Sequence, residues 1–98
     1  MSDQESHVPN EPIDVFAALA IMAEQLAGMA WQRMGLQHDM ITGKIERDLS
    51  QAKAAIDASA ALAGLLEPHL DESDKRTMQN LIRDLRMNYV QQSQGESS

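Results

Sequence analysis

Hydrophobic residues recur at helical spacing in three stretches of this chain, and the first is the densest. Between Val15 and Met34, one stripe holds Val15, Leu19, Met22, Leu26 and Met29, and a second stripe of smaller residues holds Ala20, Ala23, Ala27 and Ala30. Ile21, Gly28 and Trp31 widen the apolar region and leave a narrow remainder at Ala18, Gln25 and Gln32, with Glu24 and Arg33 at its margins. Pro12 and Asp14 announce the start of this helix, because proline is tolerated in a first turn and an aspartate there accepts hydrogen bonds from unpaired amides. A single partner helix cannot cover so broad a face.

The pattern breaks between Gly35 and Gly43, where Gly35 suits a helix C-cap and Thr42-Gly43 a turn. From Ile45 the period returns, with Leu49, Ala52, Ile56, Ala60, Ala63 and Leu66 on one face and Leu62 and Leu65 alongside. Pro68 stops this second helix near Leu66, since proline cannot continue it and disfavours helical dihedrals at Glu67. Asp71 is a suitable N-cap for a third helix, and Glu72 and Asp74 place negative charge where the helix dipole favours it. Met78, Leu81, Ile82, Leu85, Tyr89 and Val90 make its buried face, and the helix is expected to run out near Gln92. The short turn between the second and third helices makes them an antiparallel hairpin.

The sequence therefore predicts an all-α fold of three helices, at about 14–35, 45–66 and 72–91, inside a domain spanning 12–92. The long N-terminal helix packs on the hairpin, and oligomerisation completes the core. Residues 1–11 form an acidic leader and 93–98 a tail, both too polar to bury and both expected to be disordered.

Composition narrows the function classes. Apolar residues make up 43% of the chain but aromatics only 3%, so the core material is Ala, Leu, Met and Ile, all good helix formers except isoleucine. With no cysteine there is no disulfide scaffold and no thiolate chemistry, which fits a reducing cytoplasm. A net charge of −7 gives nucleic acid no general attraction, and the acidic stretch before Pro12 lacks the basic region of a secretory signal, so the expected location is cytoplasmic. Twenty apolar residues are long enough to span a bilayer, but Glu24 and Gln25 fall at mid-stretch and no basic cluster flanks either end. A soluble helix is preferred to a membrane span.

Candidate chemistry is thin. The three histidines stand in the leader and in two connections, and His38-Asp39 supplies two adjacent ligands without a third, so a solvated loop is the expected setting. Thr42-Gly43-Lys44 resembles the end of a phosphate loop but lacks the other glycine and a preceding strand. No nucleophile lies beside a base, so neither catalysis nor a cofactor or metal is expected. Asp57, Asp84 and Arg86 are the polar candidates, for an ion pair or cap between the second and third helices. Met22, Met29, Met34 and Met40 read as core filler, including core at a subunit interface, with an adaptable binding surface as the alternative.

The segment from Thr42 to Tyr89 resembles a bacterial family described as domain of unknown function 1844. The likeness rests on Thr42-Gly43-Lys44, then Asp48-Leu49, Ala52 and Ile56-Asp57, then the leucine-rich patch from Leu62 to Leu66. Leu70 before the acidic cap and Asp84-Leu85-Arg86 leading to Tyr89 complete it, while Phe16 and Leu19 match in kind on the first helix. Met40-Ile41 stands where the family more typically has Asn-Pro. The resemblance implies a small, mostly helical bacterial protein without other domains, and it implies no activity. The functional expectation is a non-enzymatic interaction or adaptor module, a homodimer or higher oligomer with room for an unknown protein partner. Its expected contact surface is Leu19, Ala20, Met22, Ala23, Leu26, Ala27, Met29 and Ala30. A membrane-surface protein using the same helix is the alternative, and an enzyme comes third.

Overall fold

A computed structural model of the chain describes residues 11–97. They form three α-helices, α1 (Val15–Arg33), α2 (Leu49–Leu66) and α3 (Glu72–Ser97), with a 3₁₀ turn at Glu67–His69 between the last two. There is no strand among the described residues. The fold is all-α as expected, but its centre is α2, against which both other helices pack.

Three pairings set the direction of α1 against α2. Phe16 stacks on His69 with ring centroids 3.8 Å apart, Ser59 Oγ lies 3.3 Å from the Ala23 carbonyl, and the Asp48 amide donates to the Arg33 carbonyl at 2.8 Å. Partners late in α1 meet residues early in α2, so the two helices are antiparallel. The contact between them is made of small side chains: Ala23, Ala27 and Ala30 are buried on α1, facing Ala52, Ile56, Ser59 and Ala63 on α2. Small residues let helix axes approach closely, which the Ser59–Ala23 hydrogen bond across the interface requires. Ser59 is fully buried, and its one hydroxyl proton is shared between the Ala23 carbonyl and Ala55 O of its own helix, 2.9 Å away, so the group is satisfied.

α3 lies along the other flank of α2, antiparallel to it. Gln79 Nε2 donates to Glu67 at 3.2 Å near one end, and Arg47 Nη2 donates to the Gln92 carbonyl at 2.7 Å near the other. Ile82 and Leu85 are its buried residues, with Met78, Leu81 and Tyr89 packed partly against the core. Val90, expected on the buried face, is exposed, because α3 touches α2 through a narrower stripe than its apolar pattern offers.

The helix ends follow local chemistry. α1 opens on Asp14, whose Oδ1 accepts the Phe16 and Ala17 amides, and closes at Gly35, whose φ of +83° is open to glycine at little cost. Gly35 N–H reaches the Gln32 carbonyl and Leu36 N–H the Trp31 carbonyl, the paired bonds of a Schellman ending. α2 starts at Leu49, four residues later than the period predicts. Asp48 caps it by accepting the Gln51 amide at 3.1 Å, which leaves Ile45 half exposed outside the helix. Asp71 caps α3 as expected, accepting the Asp74 amide at 2.8 Å.

Two expectations about the chain ends are replaced or untested. The leader falls on residues 1–10, outside the described residues, and Glu11 is exposed. The tail is not irregular: α3 continues through 93–97. Gly95 costs a helix interior about 1 kcal/mol but does not stop it, and no proline follows.

Candidate interaction surface

The α1–α2 pair has two broad sides, and α3 covers one of them. Ala20 and Glu24 of α1 share a cleft with Leu70, Asp74, Thr77, Met78 and Leu81, which places α3 on that flank. Ala60, Ala63 and Gly64 of α2 share another cleft with α3. On the opposite side none of the described residues packs across the pair. There the helical spacing lines up Val15, Met22 and Met29 of α1 with Leu65 at the far end of α2, each half or more exposed. Leu19 and Leu26 are partly buried along the same row, and Ala55, Ala58 and Leu62 continue it across α2.

The loop between α1 and α2 extends this face. Met29, Met40, Ile41, Gln51 and Ala55 surround one shallow hollow together with Gln32, Arg33 and Asp39. Met40 is 80% and Ile41 91% exposed, although a short loop that merely connected two helices would carry polar residues there. Asp39 holds both in place. It is 8% exposed, and its Oδ1 accepts the Ile41 amide at 2.8 Å and the Thr42 amide at 3.0 Å, while Arg33 Nη2 stands 3.6 Å from Oδ2. Gly43, with φ of +73°, closes the turn by donating to the Asp39 carbonyl at 2.8 Å, and Gln32 Oε1 accepts the Met40 amide. His38 is exposed, as expected of a solvated loop histidine, and Asp39 beside it is buried. An aspartate two and three residues before free amides, followed by glycine, is the pattern of an Asx turn and was the signal available in the sequence.

The turn ties stability to pH. The Asp39 carboxyl is held below the usual carboxylate range, chiefly by the Thr42 amide and then the Ile41 amide, with Arg33 adding attraction and burial opposing it. Asp48 is lowered in the same direction, chiefly by the Gln51 amide. For a depressed carboxylate the stabilisation is complete above the unfolded pKa of about 3.9 and disappears as pH falls through the lower folded value. Thermal unfolding followed from pH 7 to pH 2 is expected to steepen below about pH 4. Asp39→Asn is expected to be less stable at pH 7 and to lose less between pH 4 and pH 2. Parallel curves for the two proteins in that window would contradict this account of the loop.

The expected contact residues divide. Met22 and Met29 lie on the bare face and Leu19 and Leu26 at its edge. Ala23, Ala27 and Ala30 do not: they are 1%, 3% and 0% exposed within the single chain, and Ala20 faces α3. The alanine stripe is the intramolecular seam with α2, because a closely spaced helix pair takes the smallest residues available. The surface left over is the methionine stripe.

Asp57, Asp84 and Arg86 do not meet. Asp57 Oδ2 pairs with Lys53 Nζ at 2.9 Å one turn back on α2, and this exposed pair raises the Lys53 ammonium pKa, mainly through the hydrogen bond. Asp84 stands 3.8 Å from its neighbour Arg83. All three residues are exposed, and the helix stripes that would have faced them together are occupied by Ile56, Ile82 and Leu85. Among the described residues no group of three or more acidic or histidine side chains could hold a metal ion. α1 is long and apolar enough to cross a membrane by length and composition, with 17% of that stretch buried in the fold.

Against known proteins, the family model described as Domain of unknown function (DUF1844) matches residues 17–91. No curated protein and no solved structure matches the chain.

Proposed function

The chain belongs to the DUF1844 family, whose description assigns no activity, and we propose that it is a non-enzymatic module that self-associates through the uncovered side of α1–α2. The observation that carries this reading is the continuous row of Val15, Met22, Met29, Met40, Ile41 and Leu65, all half or more exposed. Exposed apolar surface on this scale marks an interaction site.

A two-fold pair suits the face, because a row of unbranched methionines adapts its shape to a second copy of itself. Static light scattering at tens of micromolar is expected to give twice the chain mass. Met22→Asp with Met29→Asp is expected to give the single-chain mass with the helical circular dichroism retained, since both side chains are half exposed in the chain alone. A monomeric native protein, or a dimer that survives both substitutions, would overturn the proposal. Liposome co-sedimentation separates the membrane-surface reading, which the length of α1 keeps in view. The native protein is expected to stay in the supernatant, and sedimentation abolished by the same double substitution would transfer the face to lipid.

A further inference from the structure

On the opposite side of the molecule from the methionine row, α2 and α3 line a half-open cleft of about 380 Å³. Its floor is aliphatic, built from Ala60, Ala63, Leu70, Met78 and Ile82. Its mouth is cationic: Lys75, Arg83 and Arg86 line it, three of the eight lysines and arginines in a chain of net charge −7. One carboxylate, Glu67, shares the mouth and is held by Gln79 Nε2 at 3.2 Å. Lys75 is 3.4 Å from Glu72 and Arg83 3.8 Å from Asp84, both weak exposed pairs. Arg86 forms no ion pair among the described residues. A concentration of positive charge around an apolar hollow, on an otherwise acidic protein, selects an anion with a hydrocarbon body.

Gly64 lies inside α2 on the wall of the cleft, and a Cβ there would meet nothing within 4 Å, as at Gly28 of α1. A side chain added at Gly64 would extend into the open cleft. Pockets that bury small molecules run from about 300 to 1,000 Å³ and combine an apolar lining with a few placed polar groups. The dimensions and lining here fit a medium-length aliphatic chain.

We propose that the α2–α3 cleft is a binding site for an aliphatic carboxylate, the hydrocarbon lying over Ala60, Gly64 and Ile82 and the carboxylate meeting Arg86 with Lys75 and Arg83. This site is independent of the self-association face. The test is an NMR titration of the full chain with decanoate below its micellar concentration, run beside the neutral analogue 1-decanol. Decanoate is expected to saturate with shifts confined to α2 and α3 around the cleft. Lys75→Gln, Arg83→Gln and Arg86→Gln combined are expected to weaken decanoate about tenfold while changing 1-decanol less than twofold. Gly64→Leu is expected to weaken both ligands, since its side chain fills the hollow without opposing the helix. Equal affinity for the acid and the alcohol, shifts centred on Met22 and Met29 instead, or no saturation by millimolar decanoate would each overturn the assignment.

Discussion

Ala30→Leu is expected to lower the midpoint of thermal unfolding by about 10 °C or more, the largest effect of any single alanine substitution on α1. Ala30 is fully buried and belongs to one cluster with Ala27, Met34, Ala52 and Ile56. Helix axes pack about 8–10 Å apart depending on the side chains at the contact, and alanine facing alanine suits the short end of that range. A leucine adds three carbon atoms at a point with no free volume, so α1 must lift from α2 or adopt strained rotamers. Overpacking of this kind costs about 1–3 kcal/mol and sometimes more, out of a total stability of roughly 5–15 kcal/mol for an ordinary domain. Lifting α1 also strains the Ser59–Ala23 hydrogen bond and the Asp48–Arg33 amide contact at the two ends of the same seam. Ala61→Leu, at an exposed position on α2, is the control and is expected to leave the midpoint within a few degrees. The experiment also separates two places for the alanine stripe. If Ala30 lay between chains, leucine would release a helical monomer of unchanged stability; inside the chain it removes helix and assembly together.

The same stripe shows how far the fold was legible beforehand. Periodicity located all three helices and their apolar faces, because a 3.6-residue repeat of hydrophobic positions survives any arrangement of partners. It could not rank two adjacent stripes on one helix. Larger side chains at Val15, Met22 and Met29 carry more apolar area than Ala23, Ala27 and Ala30, so size alone points the wrong stripe inward. What decides is the partner: α2 presents Ala52, Ser59 and Ala63, and matching small faces permit a closer approach than any methionine would. That information lies more than 20 residues away in the chain. The start of α2 was missed for a different reason. Ile45 continues the hydrophobic period, whereas the boundary is set by an aspartate side chain reaching the Gln51 amide. The role of Asp39 was legible in principle from its turn spacing, but its burial under Arg33 depends on the loop folding back against the end of α1. The bare face was read only in part, through Leu19, Met22, Leu26 and Met29, and the cleft not at all, since it is the position of α3 that covers one side of the α1–α2 pair and forms the cleft beside α2.

Leu85→Ala is expected to detach α3. Leu85 is fully buried and stands with Ile82 as one of two buried residues on a helix whose remaining core contacts, Met78, Leu81 and Tyr89, are only partial. Removing a buried leucine side chain costs about 2–5 kcal/mol, the spread reflecting how well the site collapses onto the gap. Its hydrogen bonds to the rest of the chain include those from Gln79 to Glu67 and from Arg47 to the Gln92 carbonyl, and its outward residues are mostly polar, with Met87 and Val90 exposed among them. α1 and α2 by contrast share the alanine seam, with Ala23, Ala27 and Ala30 buried against Ala52, Ile56, Ser59 and Ala63. The cost should therefore fall unevenly, with amide exchange in α3 accelerating by a larger factor than exchange in Ala23–Ala30 and Ala52–Ala63. Uniform acceleration across all three helices would mean that the chain unfolds as one unit and that α3 is no weaker than the seam. Because the cleft beside α2 exists only while α3 is docked, this substitution should also abolish decanoate binding. The methionine row belongs to α1, α2 and their loop, so self-association should persist in the same protein.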